Sequence, residues 1–139
     1  SYSHLLRGIF ADSATIFDKI KDYPEIQKRI DKEIDLYSRV KNIHQLESLE
    51  EKKMLVLELL VSIFALEGIK FYVSFLVTYI INNSYNNKIQ GATRIIKLIN
   101  FDEDIHTSMC NGTLNILKKE SSEGFKELME SNWYKQMVF

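Results

Sequence analysis

The sequence predicts an all-α fold, because its composition permits long helices and its apolar residues follow a helical period. Hydrophobic residues make up 45% of the 139 positions, which argues against disorder and is enough to build a core. There are only five glycines and one proline, so helices can extend almost anywhere. Apolar side chains recur every three or four positions along most of the chain. We therefore expect one helical domain over residues 1–139.

Capping and breaking residues place the first three helices. The first helix ends at Asp12 and Ser13. Its apolar residues lie on one face and are Leu5, Leu6, Ile9 and Phe10. Ser13 is suited to cap a short second helix that reaches Ile20. Pro24 suits an early helical position and opens a charged amphipathic helix. The apolar positions of this third helix are Ile26, Ile30, Ile34, Tyr37 and Val40.

A long helix is predicted from Leu46 to Ile81, and its second half is apolar nearly all round. Glu58, Glu67 and Lys70 interrupt that half, and the clean apolar run after Lys70 ends at Ile81. Crossing a bilayer takes about 20 apolar residues. A central core helix therefore fits this segment better than a membrane span.

The remaining chain is predicted to hold two more helices. A polar linker over residues 82–87 leads to a long helix over residues 88–119, and Ser121 or Ser122 caps a last helix that continues to the chain end. Short links of this kind favour antiparallel neighbours.

Charge and cysteine content argue against several classes of function. Eighteen basic and 19 acidic residues give a net charge of -1, which argues against binding nucleic acid through bulk charge. A single cysteine rules out an intramolecular disulfide and a Cys-rich zinc site. We expect no signal peptide at the start, since no charged leader precedes an apolar stretch there. The first residue is Ser1 rather than Met, and the apolar end at Phe139 has no helix stop signal. We expect both ends to be cuts in a longer protein.

Glu67 lies inside the most apolar stretch, where an unpaired carboxylate is costly. Phe71 and Phe75 follow at four and eight positions, so all three share a helix face. Burial of an ion carries an effective penalty of several kcal/mol. The compensating partner is a basic side chain such as Lys70 or Arg94, a proton or a metal ion.

The fourth long helix offers a partner in its Glu103-x-x-His106 motif. The two side chains are three positions apart and point to one side. That side faces the core, since it also carries Ile96, Ile99 and Cys110. A Glu on one helix and a Glu-x-x-His on another form half the ligand set of a di-iron carboxylate bundle, and these groups suit iron or manganese. Two neighbouring carboxylates are candidates for orienting a ligand, namely Asp102 and Asp104.

From the residues alone, other interpretations remain open. Glu-x-x-His motifs occur often by chance on charged surfaces, and Glu67 also suits a salt bridge. The chain is then a helical interaction module that binds no metal. Alternatively, two copies would offer two such Glu residues and two Glu-x-x-His pairs, which is a complete di-iron set. Cys110 is expected to be a buried thiol.

Two long segments resemble the small subunit of class I ribonucleotide reductase. Residues 67–75 read Glu-Gly-Ile-Lys-Phe-Tyr-Val-Ser-Phe and are similar to the family's Glu-x-Ile-Arg-Phe-Tyr-Val-Ser-Phe. Residues 91–99, followed by Asp-Glu-Asp-Ile-His at 102–106, are similar to its Gly-Asn-Ala-Lys-Ile-Ile-Arg-Leu-Ile and Asp-Glu-x-x-His segments. Residues 1–7 resemble Ser-Tyr-Thr-His-Ile-Ile-Arg, and residues 133–139 resemble a later helix with a Trp and a terminal Leu-Phe. The similarity spans nearly the whole chain in the same order.

The resemblance implies part of a ferritin-like di-iron carboxylate helical bundle and assigns roles within it. Glu67, Glu103 and His106 match metal ligands, and Tyr2 matches the residue oxidised to a tyrosyl radical. Asp102 matches an aspartate on the radical-transfer route. The apolar pocket that shields the radical matches Phe71, Phe75 and Ile99.

The implied function is that of the small subunit of ribonucleoside-diphosphate reductase, which serves deoxyribonucleotide synthesis. The implied cofactors are a dinuclear iron centre, with manganese as the alternative, and the tyrosyl radical. The implied partners are the reductase large subunit and a second copy of the chain in a homodimer. The implied location is the cytoplasm, and neither nucleic acid nor a membrane is an implied partner. Another ferritin-like di-iron oxidase is the remaining alternative, and both Tyr2 and the Phe-Tyr-Val-Ser-Phe run over residues 71–75 favour the reductase over it.

The sequence also departs from the family pattern. The family uses six ligands, and its earlier Asp and Glu-x-x-His would precede Ser1, so we expect these 139 residues alone to be inactive. The tail that docks the large subunit is also not among them. Phe101 stands where many relatives are expected to have Arg, and Gly68 replaces a small residue that favours helix.

Overall fold

The structure, a computed structural model, describes residue 12 and residues 14–20, 22–119 and 124–138, and these ranges contain no strand. The predicted first helix lies outside them, as do Tyr2 and Ser13. Within the ranges, the seven α-helices are α1 (Ala14–Ile20), α2 (Pro24–Lys41), α3 (Leu49–Ala65), α4 (Phe71–Ser84), α5 (Gln90–Lys119), α6 (Phe125–Glu130) and α7 (Asn132–Val138). A 3₁₀ turn, Ile43–Gln45, precedes α3, and a π-helical turn, Leu66–Lys70, joins α3 to α4. The all-α prediction is confirmed.

Local chemistry sets the starts of the first helices. Asp12 Oδ1 accepts a hydrogen bond of 2.9 Å from the first amide of α1. Pro24 is the first residue of α2, as predicted, where the missing N–H costs nothing. Ser48 Oγ accepts a hydrogen bond of 3.4 Å from the backbone N–H of Glu51. This cap starts α3 at Leu49, three residues later than the sequence prediction.

The polar linker between α4 and α5 is a structured turn, and part of it belongs to α4. Asn82 is buried; its Nδ2 donates to Asn87 Oδ1 at 2.9 Å, and its Oδ1 accepts from the Ile89 N–H at 3.1 Å. Asn86 and Asn87 have positive φ values of 51° and 61°, a conformation that asparagine tolerates better than most residues. The turn reverses the chain, so α5 packs back against α4.

The core lies where α3, the π turn, α4 and α5 meet. Leu57 on α3 is fully buried, and Phe75 on α4 is 2% exposed. Ile96 and Cys110 on α5 face the same interior, and Leu36 brings α2 onto α3. Burial of such side chains stabilises a fold by about 1.5–3 kcal/mol each. The π turn packs against α3, α4 and α5 beside these residues.

Helix α4 is apolar nearly all round, as predicted, but only one side of it faces the core. Phe75 and Asn82 point inward, while Val73, Leu76 and Ile80 on the opposite side are 54–60% exposed. Among the described helices, none has both the length and the apolar character that a membrane span requires.

The predicted single last helix was wrong, because Ser131 divides this segment into α6 and α7. Ser131 Oγ donates to the Leu128 carbonyl at 2.6 Å and accepts from the Tyr134 N–H at 3.3 Å. The same hydroxyl thus closes one helix and caps the next. Gly124, with φ 72°, precedes α6, and Ser121 and Ser122 lie outside the described residues.

Candidate metal centre

The structure brings together the three residues that the sequence predicted as metal ligands. Glu67, Glu103 and His106 each offer one ligand atom, and these atoms all lie within 4.8 Å of one another. Glu67 belongs to the π turn, whereas Glu103 and His106 belong to α5. The two motifs, separate in sequence, therefore form one cluster, while their role as ligands stays a prediction.

The distances within the cluster suit a shared cation. His106 Nδ1 lies 3.3 Å from Glu67 Oε2 and 3.3 Å from Glu103 Oε2, and only the contact with Glu103 has hydrogen-bond geometry. Ligand atoms about 2.0–2.2 Å from one ion lie roughly 2.8–3.6 Å apart at octahedral or tetrahedral angles. The imidazole nitrogen is therefore spaced from each carboxylate as a neighbouring ligand of one metal would be.

Burial makes the cluster costly without a positive partner. The side chain of Glu103 is 9% exposed and that of Glu67 is 19% exposed. Glu67 Oε2 has no access to solvent and accepts no hydrogen bond from the described residues. A buried acceptor left unsatisfied costs about 1–3 kcal/mol. Because a cation would satisfy this oxygen, the residues present fit a metal ion.

The alternative partner for Glu67, a salt bridge to Lys70, was wrong. Lys70 Nζ lies 2.7 Å from Glu33 Oε1 on α2 and pairs with that carboxylate. The ionisable neighbours of Glu67 are instead the His106 imidazole and the Glu103 carboxylate.

The electrostatics of the site follow from its burial. Burial raises the pKa of Glu67, the His106 imidazole opposes that rise, and the charge of Glu103 adds to it. Burial also raises the pKa of the Cys110 thiol, with a further contribution from Glu67. Cys110 is buried one turn after His106, so the prediction of a buried thiol is confirmed. The ligand atoms that converge are those of Glu67, Glu103 and His106, so the carboxylates and the imidazole form the candidate donor set.

The π turn around Glu67 is a feature that sequence reasoning missed. Such turns insert one residue into an α-helix and often occur at functional sites. A Cβ on Gly68 would lie only 3.2 Å from Thr107 Cγ2. The missing side chain therefore lets the π turn approach α5 next to His106. The sequence signal for this turn is Gly68, a residue that disfavours regular helix inside an otherwise helical segment.

Apolar side chains lie near the cluster and line a cleft beside it. The rings of Phe71 and Phe75 are 6.2 Å apart, and Ile99 is half-buried on α5. A cleft of about 270 Å³ also borders Glu67 and His106, and its other lining residues are Leu60, Ile63, Met109, Cys110 and Thr113. Shielding of a radical by Phe71, Phe75 and Ile99 stays a prediction.

The two carboxylates predicted to orient ligands differ in their contacts. Asp104 accepts a hydrogen bond from the Tyr72 hydroxyl, which links α5 to α4 beside the cluster and raises the pKa of Tyr72. Asp102 is exposed on α5. Its role in radical transfer stays a prediction, as does the role of Tyr2, which lies outside the described part of the chain.

A helical core in which inward carboxylates meet the histidine of a Glu-x-x-His motif defines the ferritin-like carboxylate class of proteins. Comparison with protein families narrows this class. The family model for the small chain of ribonucleotide reductase matches residues 1–138. The chain belongs to the ribonucleotide reductase small-chain family.

Three relatives illustrate the similarity. Ribonucleoside-diphosphate reductase 1 subunit beta of Escherichia coli O157:H7 is 29% identical over 140 residues, which cover 88% of this chain and 37% of the relative. The protein of the same name from Salmonella typhimurium strain LT2 is 32% identical over 135 residues, which cover 85% of this chain and 35% of the relative. Ribonucleoside-diphosphate reductase subunit beta of Buchnera aphidicola subsp. Baizongia pistaciae is 32% identical over 152 residues, which cover 92% of this chain and 38% of the relative.

The chain thus spans between 35% and 38% of the length of these relatives. All three are named as subunits of a reductase, so the chain resembles part of an oxidoreductase. No solved structure matched the chain.

Proposed function

We propose that this chain forms part of the radical-generating small subunit of a ribonucleotide reductase and that Glu67, Glu103 and His106 bind metal there. One observation carries the proposal: three ligand atoms converge within 4.8 Å around a buried Glu67 oxygen that has no hydrogen-bond partner among the described residues. The match to the small-chain family supports the same assignment. Together the three residues make up half of the six-ligand set of a di-iron carboxylate bundle.

The metal proposed for this site is a dinuclear iron centre, with manganese as the alternative. Carboxylate and imidazole ligands suit both metals. When bound, such a centre supplies the oxidising power that converts a tyrosine to a neutral radical, and we assign that tyrosine to Tyr2. The protein contributes position and environment to this chemistry.

The chain's own residues would exclude water from the radical site and link it to the route by which the radical leaves the subunit. Phe71 and Phe75 present packed aromatic rings, and Ile99 adds a half-buried aliphatic side chain. We propose that these three exclude water and reductants from the radical. Asp102 is proposed to hold a proton and a hydrogen bond on the route by which the radical leaves the subunit.

The proposed partners follow from the same assignment. A large subunit would receive the radical and reduce ribonucleotides to deoxyribonucleotides, and the small subunit would act as a cytoplasmic homodimer. Residues 1–139 are proposed to form one helical domain within it.

Metal analysis of the purified protein tests the metal site. The protein is loaded anaerobically with ferrous iron, gel-filtered, and assayed for bound iron beside Glu103→Ala and the control Glu58→Ala. Glu58 pairs with Arg39 and has no contact with the cluster. Iron retained by the wild type and the control, but lost from Glu103→Ala, is the expected result. A wild type that stays metal-free and monomeric would favour a helical interaction module instead.

Electron paramagnetic resonance tests the radical assignment. After oxygen is added to the iron-loaded small subunit together with its large subunit, a tyrosyl signal is expected, and Tyr2→Phe should abolish it. A signal that persists in Tyr2→Phe would exclude Tyr2. A strong signal from residues 1–139 alone would refute the expectation that this segment is inactive by itself.

A further inference from the structure

One carboxylate outside the metal cluster contacts the helix on both sides of Glu67. Glu33 on α2 accepts a hydrogen bond of 2.7 Å from Ser62 Oγ through Oε2 and one of 2.7 Å from Lys70 Nζ through Oε1. Ser62 lies one turn before the π turn, and Lys70 is its last residue. Glu33 therefore bridges the two ends of the irregular segment that carries Glu67.

The position of the π turn decides where the Glu67 carboxylate points. Leu57 before it and Phe75 after it are both buried, so the core fixes the rotation of the helix on each side. The one inserted residue has to be accommodated between these two positions. Each α-helical residue turns the chain by about 100°, so an insertion on the other side of Glu67 would rotate that side chain by up to about 100°. Such a rotation would move Glu67 away from His106.

We propose that Glu33 is a positioning residue for Glu67, because its bonds to Ser62 and Lys70 hold the inserted residue within the π turn. The proposal rests on the proposed metal-binding function. The side chain of Glu33 is 19% exposed and that of Lys70 is 48% exposed, so the bond to Ser62 is better shielded from water than the ion pair with Lys70. Glu33 would act through the backbone, without touching a ligand.

The chain offers a matched control in Glu58. Glu58 also ties α3 to α2, through two hydrogen bonds of 2.6 and 2.9 Å with Arg39. It lies nine positions before Glu67, which is about 13 Å along a helix and well before the π turn. Loss of Glu58 therefore weakens the same helix pair while leaving the π turn held. A general loss of helix packing would affect both variants alike.

The experiment compares Glu33→Ala, Glu33→Gln and Glu58→Ala in the purified protein. Cobalt(II) is titrated into each, and its visible absorption bands report both affinity and ligand geometry. Glu33→Ala is expected to weaken cobalt binding about 10- to 100-fold, the range for residues that orient metal ligands. Glu33→Gln keeps an acceptor oxygen and should retain part of the affinity. Glu58→Ala should change affinity less than about twofold, as expected for a residue that does not orient a ligand.

Hydrogen–deuterium exchange of the metal-free protein gives a second readout that does not depend on metal. Exchange at the amides of residues 66–70 should rise in Glu33→Ala and stay unchanged in Glu58→Ala. Equal losses of cobalt affinity in the two alanine variants would overturn the proposal, and so would unchanged exchange at the π turn. If the wild type binds no cobalt, the metal-binding function fails, and exchange alone decides the role of Glu33. Should Glu33→Ala not fold, Glu33→Gln is judged by the same two measurements.

Discussion

Substitution of Glu67 by glutamine is expected to stabilise the metal-free protein while removing metal binding. Glu67 Oε2 is cut off from solvent without a hydrogen bond from the described residues, and the charge of Glu103 lies beside it. An unsatisfied buried acceptor costs about 1–3 kcal/mol. Glutamine keeps the shape, removes the charge and adds an amide that can donate to Glu103. We expect the free energy of unfolding to rise by about 1 kcal/mol, at the low end of that range.

Urea denaturation in the presence of a chelator at pH 7.5 measures this change. The control is Glu58→Gln, which removes a carboxylate that already has a partner in Arg39 and should give no gain. For a chain of 139 residues, 1 kcal/mol corresponds to a melting shift of about 3–4 °C. Metal affinity of Glu67→Gln should fall by more than about 100-fold, beyond the effect of residues that only orient ligands.

Two results would refute this reasoning. If Glu67→Gln destabilises the metal-free protein by about 1 kcal/mol or more, the carboxylate is satisfied in the fold and its burial has no need of a metal. If the variant binds iron as tightly as the wild type, Glu67 is not a ligand. A stabilised protein that has lost its metal is the pattern expected of a site whose function costs stability.

Three further predictions concern the surroundings of the site. Although burial opposes it, hydrogen bonds from Lys70 and Ser62 lower the pKa of Glu33 below its ordinary 4.5. The ionised Glu33 therefore stabilises the fold above about pH 4.5, and this contribution is lost as the pH falls through the folded pKa. Denaturation between pH 5 and pH 3 should show a loss of up to about 1 kcal/mol in the free energy of unfolding, and Glu33→Gln should lack this loss. Leu57→Ala, at a fully buried position, should lower the free energy of unfolding by about 2–5 kcal/mol in urea denaturation, and a loss below about 1 kcal/mol would contradict the core assignment. Gly68→Ala gains about 1 kcal/mol of helix propensity but crowds α5 at Thr107, so thermal unfolding should change little while cobalt affinity falls; unchanged affinity would show that this close approach does not shape the site.

Much of the candidate site could be predicted from sequence because its parts are local. Residues three apart on a helix face the same way, so their spacing is enough to pair Glu103 with His106. Glu67 stood out because a charge interrupted an apolar run. Joining the two motifs across helices required a known bundle pattern and the family resemblance, since spacing within one helix says nothing about its neighbour.

The all-α class, the start of α2 at Pro24 and the inward faces of the long segments were determined by the sequence itself, because caps and periodicity act over a few residues. Only the tertiary structure decided that Glu67 sits in a π turn and lacks a hydrogen-bond partner among the described residues. Helix packing also pairs Lys70 with Glu33, a residue 37 positions away, rather than with Glu67. Contacts of that range depend on how helices are oriented on one another, and the electrostatic cost of a buried oxygen exists only once they have packed.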